Sequence, residues 1–551
     1  MSKKSLKDIL FLLELSYFFF MLGNGIVSLT NPDEVFYAQT AKEMAKHNSW
    51  MTPYLFDAPQ FEKPVLLYWL LRIGLIIFPN PNFAARFFPA LFAALGLVAV
   101  YFLSLIGFKN EKKAFISALI LMSSGLYIGL ARTVFTDMIF SVFILLSLLS
   151  FYWGYTRQPK KGLGILFFFI FSGLAVLTKG PLGFLIPFLI ISVFLLIKRK
   201  FKFLFCRYSL WGIFIFIAVS FPWYIFMLKK YGSSFIREFF YNDHIRRFIS
   251  AEHPGNDKWY FYPFSMIGCI FPWSIYTLIS LIYLLRYLNR DINPIYIFLI
   301  SWIGVVFLTF QPAHSKLVSY IFPLFPALAL VTGDFIYNTA LSEKKNRIFF
   351  TVSLATALIL LLMATGLFVG MPRYSIYLSS KIPVYLLLFI LLFLSISFCF
   401  FLFRYKFSKI IFILVILIPA ISFVLLFILK ELEPYVSSKN ACDYLLKNYA
   451  INSPIICSKP FVRGVRYYTD REIVAIDLPG RNFFSPHPIP FLGNDEEVKA
   501  YLRRQPVAYC VLKKANVEDI ERIAQDGFKF TILKIIGNEY LLKIETIKKN
   551  S

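Results

Sequence analysis

The chain is 551 residues long, 58% hydrophobic and 19% aromatic, with a mean hydropathy of +0.66 and a formal net charge of +26. Only 16% of it is charged, against about a quarter in soluble globular proteins, so the composition excludes that class and points to repeated membrane spans. Nor does the positive charge point to nucleic acid, because Lys and Arg gather in alternate short loops, as the positive-inside rule requires.

A bilayer core takes roughly 20 apolar residues per helix, and such runs recur from Asp8 to Leu429. The expected spans lie near 8–29, 83–107, 113–131, 133–153, 163–178, 181–198, 209–229, 260–286, 292–311, 316–338, 347–370, 383–403 and 408–430. The first is read as a retained signal anchor, because no small-residue cleavage site follows it. The basic clusters set the topology: Lys3, Lys4 and Lys7; Lys109, Lys112 and Lys113; Arg157, Lys160 and Lys161; Lys198 to Arg207; Arg286 and Arg290; Lys344, Lys345 and Arg347; Arg404, Lys406 and Lys409. With these inside, the loops 30–82 and 230–259 and everything after residue 430 lie outside. Both loops are too long for simple hairpins and rich in aromatic and charged residues, which marks them as functional.

The first loop opens with "LTNPDEVFYAQTAKEM". Asn31 is an expected N-cap, Pro32 suits the first helical position, and Glu34, three residues on, completes a capping box. Capping explains Glu34 but not Asp33, which is left free for chemistry. "FEKP" follows, with Glu62 and Lys63 at the edge of the apolar segment 65–78. That segment is read as an interfacial helix, since a span there would invert every later loop and turn the basic clusters outward. Arg132 and Asp137 flank the next external turn, and an ionisable group at membrane depth is a site candidate by default. Lys179 stands in "TKGPLG". In the second loop, "YNDHIRRFISAEH" carries Arg246 and Arg247, suited to bidentate grip of a phosphate, and "SKLVSYIFP" carries Lys316 and Tyr320. Each has a bland reading, as a snorkelling lysine, a solvated arginine face or a structural pair, but all converge on the external side.

Residues 431–551 break the apolar pattern. "NACDYLLKNYA", "DEEVKAYLRRQ" and "NVEDIERIAQDG" read as helices alternating with the strands "SPIICSK", "AYCVLKK" and "FKFTILKII", which makes a small α/β domain. Of the six cysteines, Cys442, Cys457 and Cys510 fall in this tail, which permits at most one disulfide within the chain. There is no phosphate-binding Gly-rich loop, no H-E-x-x-H and no D-x-D acid pair. His244, His253 and His314 are external but scattered, so no cofactor is expected, and a divalent metal would need a site assembled in space from separate segments. A donor that reaches the outer face already energised, without a nucleotide, fits this set: a lipid-linked phosphosugar.

The segments "NPDEVFYAQTAKEM", "FEKPVLLYWL", "ARTVFTDMIF", "LTKGPLG", "FPWYI", "DHIRRF" and "SKLVSYIFP" resemble, in order and spacing, the bacterial aminoarabinose transferase and related protein-mannosyltransferase-like enzymes of the GT-C fold. The resemblance covers residues 8–340 well and the tail weakly. It implies an α-helical polytopic membrane protein with about 13 transmembrane helices, a transmembrane glycosyltransferase domain over 1–430 and an extracytoplasmic α/β domain over 431–551. The implied activity is transfer of a sugar, 4-amino-4-deoxy-L-arabinose being favoured, from a polyprenyl phosphate to an acceptor such as lipid A at the periplasmic face of the inner membrane. Protein or another glycan as acceptor, or a lipid-linked sugar transporter, are the alternatives; the partners are thus the lipid donor, a lipid or glycan acceptor and the membrane, with no nucleic acid. By resemblance Asp33 is the catalytic base or acceptor-orienting acid and Asp137 a second catalytic acid. Lys63 binds the lipid phosphate beside Glu62, Arg247 aligns with the arginine of a His-x-x-Arg-Phe pattern, and Lys316 and Tyr320 match an outer-end motif. Arg246 is an extra cation where many relatives have a neutral residue.

Overall fold

The computed structural model describes residues 2–251, 254–285, 293–341, 347–374, 377–477, 489–524 and 527–547. Arg286, Arg290, Lys344, Lys345 and His253 lie outside the described residues. Among those described, eight helices are long and apolar enough to cross a membrane, or ten if each of two bent pairs is one span. Every expected span is a helix, but three fail that measure. The first, Lys3–Ser16, carries Lys3, Lys4, Lys7, Asp8 and Glu14 before passing into a π-turn; Leu182–Ile197 and Pro294–Phe310 are only 16 and 17 residues long.

The bent pairs correct two spans drawn as straight. Glu111–Met122 meets Gly125–Ala131 at 67°, and Phe261–Cys269 meets Ser274–Leu285 at 119°. The two bends touch, since the Gly125 amide donates to the Phe271 carbonyl and the Trp273 indole to the Ser123 hydroxyl. Each break thus supplies partners for backbone and side-chain groups that the other leaves open at membrane depth.

The first long loop is folded. Helix Asp33–Lys46 is followed by a short hairpin of β1 (Tyr54–Leu55) and β2 (Ala58–Pro59), then by the helix Leu66–Ile77, which at 12 residues is too short to span, as the charge pattern requires. The second long loop is largely a continuation of helix Arg207–Phe235, broken at Gly232 (φ +52°, ψ −126°), a backbone conformation that only glycine adopts without strain. A π-helix, Ile236–Arg246, carries the chain back across the bundle.

The tail forms one six-stranded sheet from β3 (Ile455–Ser458), β4 (Ile473–Ile476), β5 (Phe491–Leu492), β6 (Val507–Leu512), β7 (Phe528–Ile536) and β8 (Glu539–Thr546), in the order β5-β4-β3-β6-β8-β7. The first four are parallel, and β8 and β7 add antiparallel at one edge. Both faces are buried. Val474, Ile456 and Cys510 pack under the helices Asp495–Arg503 and Lys514–Ala524, while Ile473, Cys457 and Val511 join the main core. That double burial explains the unbroken apolar runs of the central strands. The three expected strands and three expected helices are present; β4, β5, β8 and the helix Val462–Thr469 were not foreseen. All six thiols are free.

Candidate active site

The expected Asn31 cap is not formed. The N-cap position of helix Asp33–Lys46 is Pro32, and the Asn31 amide donates instead to Ser438 of the tail at 2.6 Å. Glu34 does reach back, one residue further than expected, to accept from the Thr30 amide and hydroxyl, both at 3.0 Å. Its carboxylate also takes a two-pronged grip from Arg86 (2.8 and 2.6 Å) and a bond from the Val134 amide. Burial pushes the Glu34 carboxyl up, but the Arg86 guanidinium more than offsets this and holds it below the usual range. One buried acid therefore ties the loop start to helix Pro81–Phe108 and to the turn before Asp137. Asp33, its neighbour, has no such duty, and its side chain is 56% exposed.

A cavity of about 380 Å³ gathers Lys63, Asp137, Lys179, Asp243, Arg247 and Tyr320 against apolar walls that include Phe140, Leu182 and Phe310. Lys63 pairs with Asp243 at 2.6 Å, and Arg247 approaches the other Asp243 oxygen at 2.9 Å. Lys179 pairs with Asp137 at 2.5 Å and stands 4.8 Å from the centre of the Tyr320 ring. Three cations face two carboxylates, so the charged wall carries a net positive charge that suits one more anion. Gly180 makes the arrangement possible: at φ +99°, a Cβ there would lie 2.6 Å from His244 Nε2, and the imidazole closes against that turn. His244 Nδ1 lies 2.8 Å from the Phe239 carbonyl.

Of the residues singled out from sequence, Lys63, Asp137, Lys179, Arg247 and Tyr320 line this cavity. Arg246 is exposed and does not, so Arg247 is the arginine at the cavity wall. Lys316 is buried nearby but pairs with Asp257 at 3.2 Å, which also meets His314 at 2.8 Å. Asp33 and Glu62 do not line the cavity and form a second group. Arg463 of the tail stands 3.9 Å from Asp33 and 3.8 Å from Glu62. The Tyr37 phenol is buried where it feels Asp33, Glu62 and Asp137 together. Arg132 is not the partner of Asp137; it donates to the Phe19 and Leu22 carbonyls. Sequence reasoning missed Asp243 as the hub of the cavity, although its spacing four residues before Arg247 was a usable signal. Arg463 gave none. Among the described residues no group of three or more His, Cys, Asp or Glu side chains is placed to hold a metal ion.

An uncharacterized protein of Aquifex aeolicus is 31% identical over 376 residues, 68% of this chain and 71% of its own length. Residues 11–233 match the family described as dolichyl-phosphate-mannose-protein mannosyltransferase. The undecaprenyl phosphate-alpha-4-amino-4-deoxy-L-arabinose arabinosyl transferase of Wigglesworthia glossinidia brevipalpis is 30% identical over 357 residues, 63% of this chain. The chain belongs to the aminoarabinose-transferase and protein-mannosyltransferase-like family of GT-C glycosyltransferases. It spans 62% of the Wigglesworthia transferase and 65% of the one from Edwardsiella ictaluri, so it matches the named GT-C transferases over somewhat less than two thirds of their length. The GT-C fold extends further than sequence identity does. The structure of ArnT from Cupriavidus metallidurans bound to undecaprenyl phosphate superposes with a TM-score of 0.76, covering 97% of both chains at 17% identity. The archaeal oligosaccharyltransferase AglB from Archaeoglobus fulgidus reaches 0.52 over 93% of this chain.

Proposed function

We propose that this protein transfers a sugar from a polyprenyl phosphate to a lipid or glycan acceptor at the extracytoplasmic face of the inner membrane. In this reading 1–430 form the membrane-embedded catalytic unit, and 431–551 an outer domain. The observation that carries it is the convergence of Lys63, Lys179 and Arg247 on one apolar-walled cavity, an arrangement suited to a phosphate whose lipid chain needs a greasy exit. Aminoarabinose as the sugar and lipid A as the acceptor rest on the named relatives.

The chemistry follows from the charges. The bond between the anomeric carbon and the phosphate oxygen breaks, its electron pair stays on the phosphate, and a second negative charge grows there. Lys63 and Arg247, preorganised by Asp243, and Lys179, held by Asp137, stabilise that charge more in a water-poor site than water could. An acceptor oxygen attacks the anomeric carbon, and Asp33 takes the proton it carries or orients it. Asp33 suits this task because it is exposed on a helix whose start Glu34 has anchored. Glu62 and Tyr320 flank the sugar's place, exposed Arg246 serves the approach of the anionic substrate, and Lys316 supports the site from behind through Asp257.

The test is reconstitution in liposomes with undecaprenyl-phosphate-linked aminoarabinose and lipid A, read by mass spectrometry of the lipid. Addition of one aminoarabinose to lipid A is expected. No transfer to lipid A, to another glycan or to protein from any polyprenyl-phosphate sugar would refute the reading.

A further inference from the structure

The helix Val462–Thr469 is clamped against the start of the membrane unit. Gly464 packs so closely on Asn31 that any side chain there would collide with it. Arg466 bonds Glu43 at 3.2 Å and reaches Asp57, and the Tyr468 hydroxyl donates to the Leu29 carbonyl at 2.9 Å. Three residues thus fix this short helix, and Arg463 near its start faces Asp33 and Glu62. Its guanidinium stacks 4.5 Å from the centre of the Phe36 ring, and its side chain is only 17% exposed. From there it faces two carboxylates at nearly equal distance, Asp33 at 3.9 Å and Glu62 at 3.8 Å. Glu62 precedes Lys63 in the chain, so Arg463 stands where the acceptor-side acids adjoin the donor cavity.

We propose that Arg463 is a positioning residue of the transfer reaction, through which the C-terminal domain completes the active site by holding Asp33 and Glu62 on one stacked guanidinium. This rests on the assignment of Asp33 above. Two carboxylates gathered on one cation keep a fixed mutual geometry, which their own repulsion would otherwise undo. Among the described residues, the groups that meet Asp33 or Glu62 are Arg463 from the tail helix, the phenols Tyr37 and Tyr68, which also feel Asp137 and Asp243, and Glu238 of the π-helix. Arg463 is the cation among them. A planar fork held by an aromatic face loses little freedom in keeping this geometry, which a lysine reproduces only in charge.

The experiment uses full-length protein in liposomes with Arg463→Gln and Arg463→Lys. For Arg463→Gln, turnover falls by at least about tenfold while affinity for undecaprenyl phosphate stays within about twofold. Arg463→Lys recovers part of the turnover, because it restores the charge but not the planar fork. In an Asp33→Asn background, Arg463→Gln lowers turnover no further, as expected of residues that act as a unit. Unchanged turnover in Arg463→Gln overturns the proposal, and so does a fall in turnover matched by an equal loss of affinity for undecaprenyl phosphate. Should Arg463→Gln fail to fold, a further loss of turnover from Arg463→Lys in the Asp33→Asn background overturns it equally. Full activity of Asp33→Asn alone defeats the Asp33 assignment; an inactive Asp33→Asn beside an unaffected Arg463→Gln defeats only this inference.

Discussion

Replacing Lys63 with alanine tests the donor site most directly. The Lys63 ammonium is 11% exposed and bonds Asp243 at 2.6 Å, while Asp243 keeps a second cation, Arg247, at 2.9 Å. Truncation therefore does not strand a lone buried carboxylate, and the fold survives. What changes is the charge balance of the wall, from three cations against two acids to two against two. A hydrogen bond to a charged partner is worth roughly 1.5–3 kcal/mol, so undecaprenyl phosphate should bind roughly 10- to 150-fold more weakly at 1.4 kcal/mol per decade. Lys63→Arg should recover part of this, because charge is restored but the point-like ammonium is not. The assay is titration of purified protein in nanodiscs with labelled undecaprenyl phosphate, beside a thermal melt to confirm folding. Affinity within twofold of wild type in a folded variant would refute the assignment of Lys63 to the lipid phosphate.

Asp33→Asn should lower turnover by about 10²–10⁴-fold with donor binding retained, measured by product mass spectrometry; near-normal turnover removes its role as base or orienting group. Glu34→Gln should cost roughly 3–5 kcal/mol, because it leaves Arg86 buried opposite a neutral group, and a thermal midpoint equal to wild type would contradict this. The Glu34 carboxyl lies below its usual value in the folded chain, so its contribution is present above about pH 4.5 and is lost as the pH falls through the folded value. Glu539, buried against Ser438, has the opposite sign: burial pushes it from 4.5 up to about 7 despite the Ser438 hydroxyl. Its contribution is full below about pH 4.5 and falls away towards pH 7, by roughly 3 kcal/mol for a shift of that size. Glu539→Gln should flatten this loss, seen as a smaller drop in melting temperature between pH 5 and 8.

Much of the site was legible because some signals are local. Counting three residues from the helix start separated Glu34 from Asp33, and the structure gives Glu34 a fully buried role and Asp33 an exposed one. The shift of the reach-back from Asn31 to Thr30 was not legible, because Asn31 is recruited by Ser438, more than four hundred residues away. Lys63 and Asp243 are 180 positions apart, and no spacing rule links them. The strands β4 and β8 were missed for a similar reason. Four apolar residues, Ile473–Ile476, are too few to show a period, and only the partner strand β3 makes them a strand.

The sequence by itself determined where the apolar helices lie, the two long loops between them and the α/β character of the tail. These follow from the length of apolar runs, the sidedness of charge and short-range periodicity, all read within a few turns of chain. Only the tertiary structure decided which charges meet: Lys63 with Asp243, Lys179 with Asp137, and Arg463 with Asp33 and Glu62. The strength of such a pair depends on distance and on the water excluded around it. Neither exists until helices remote in sequence have packed.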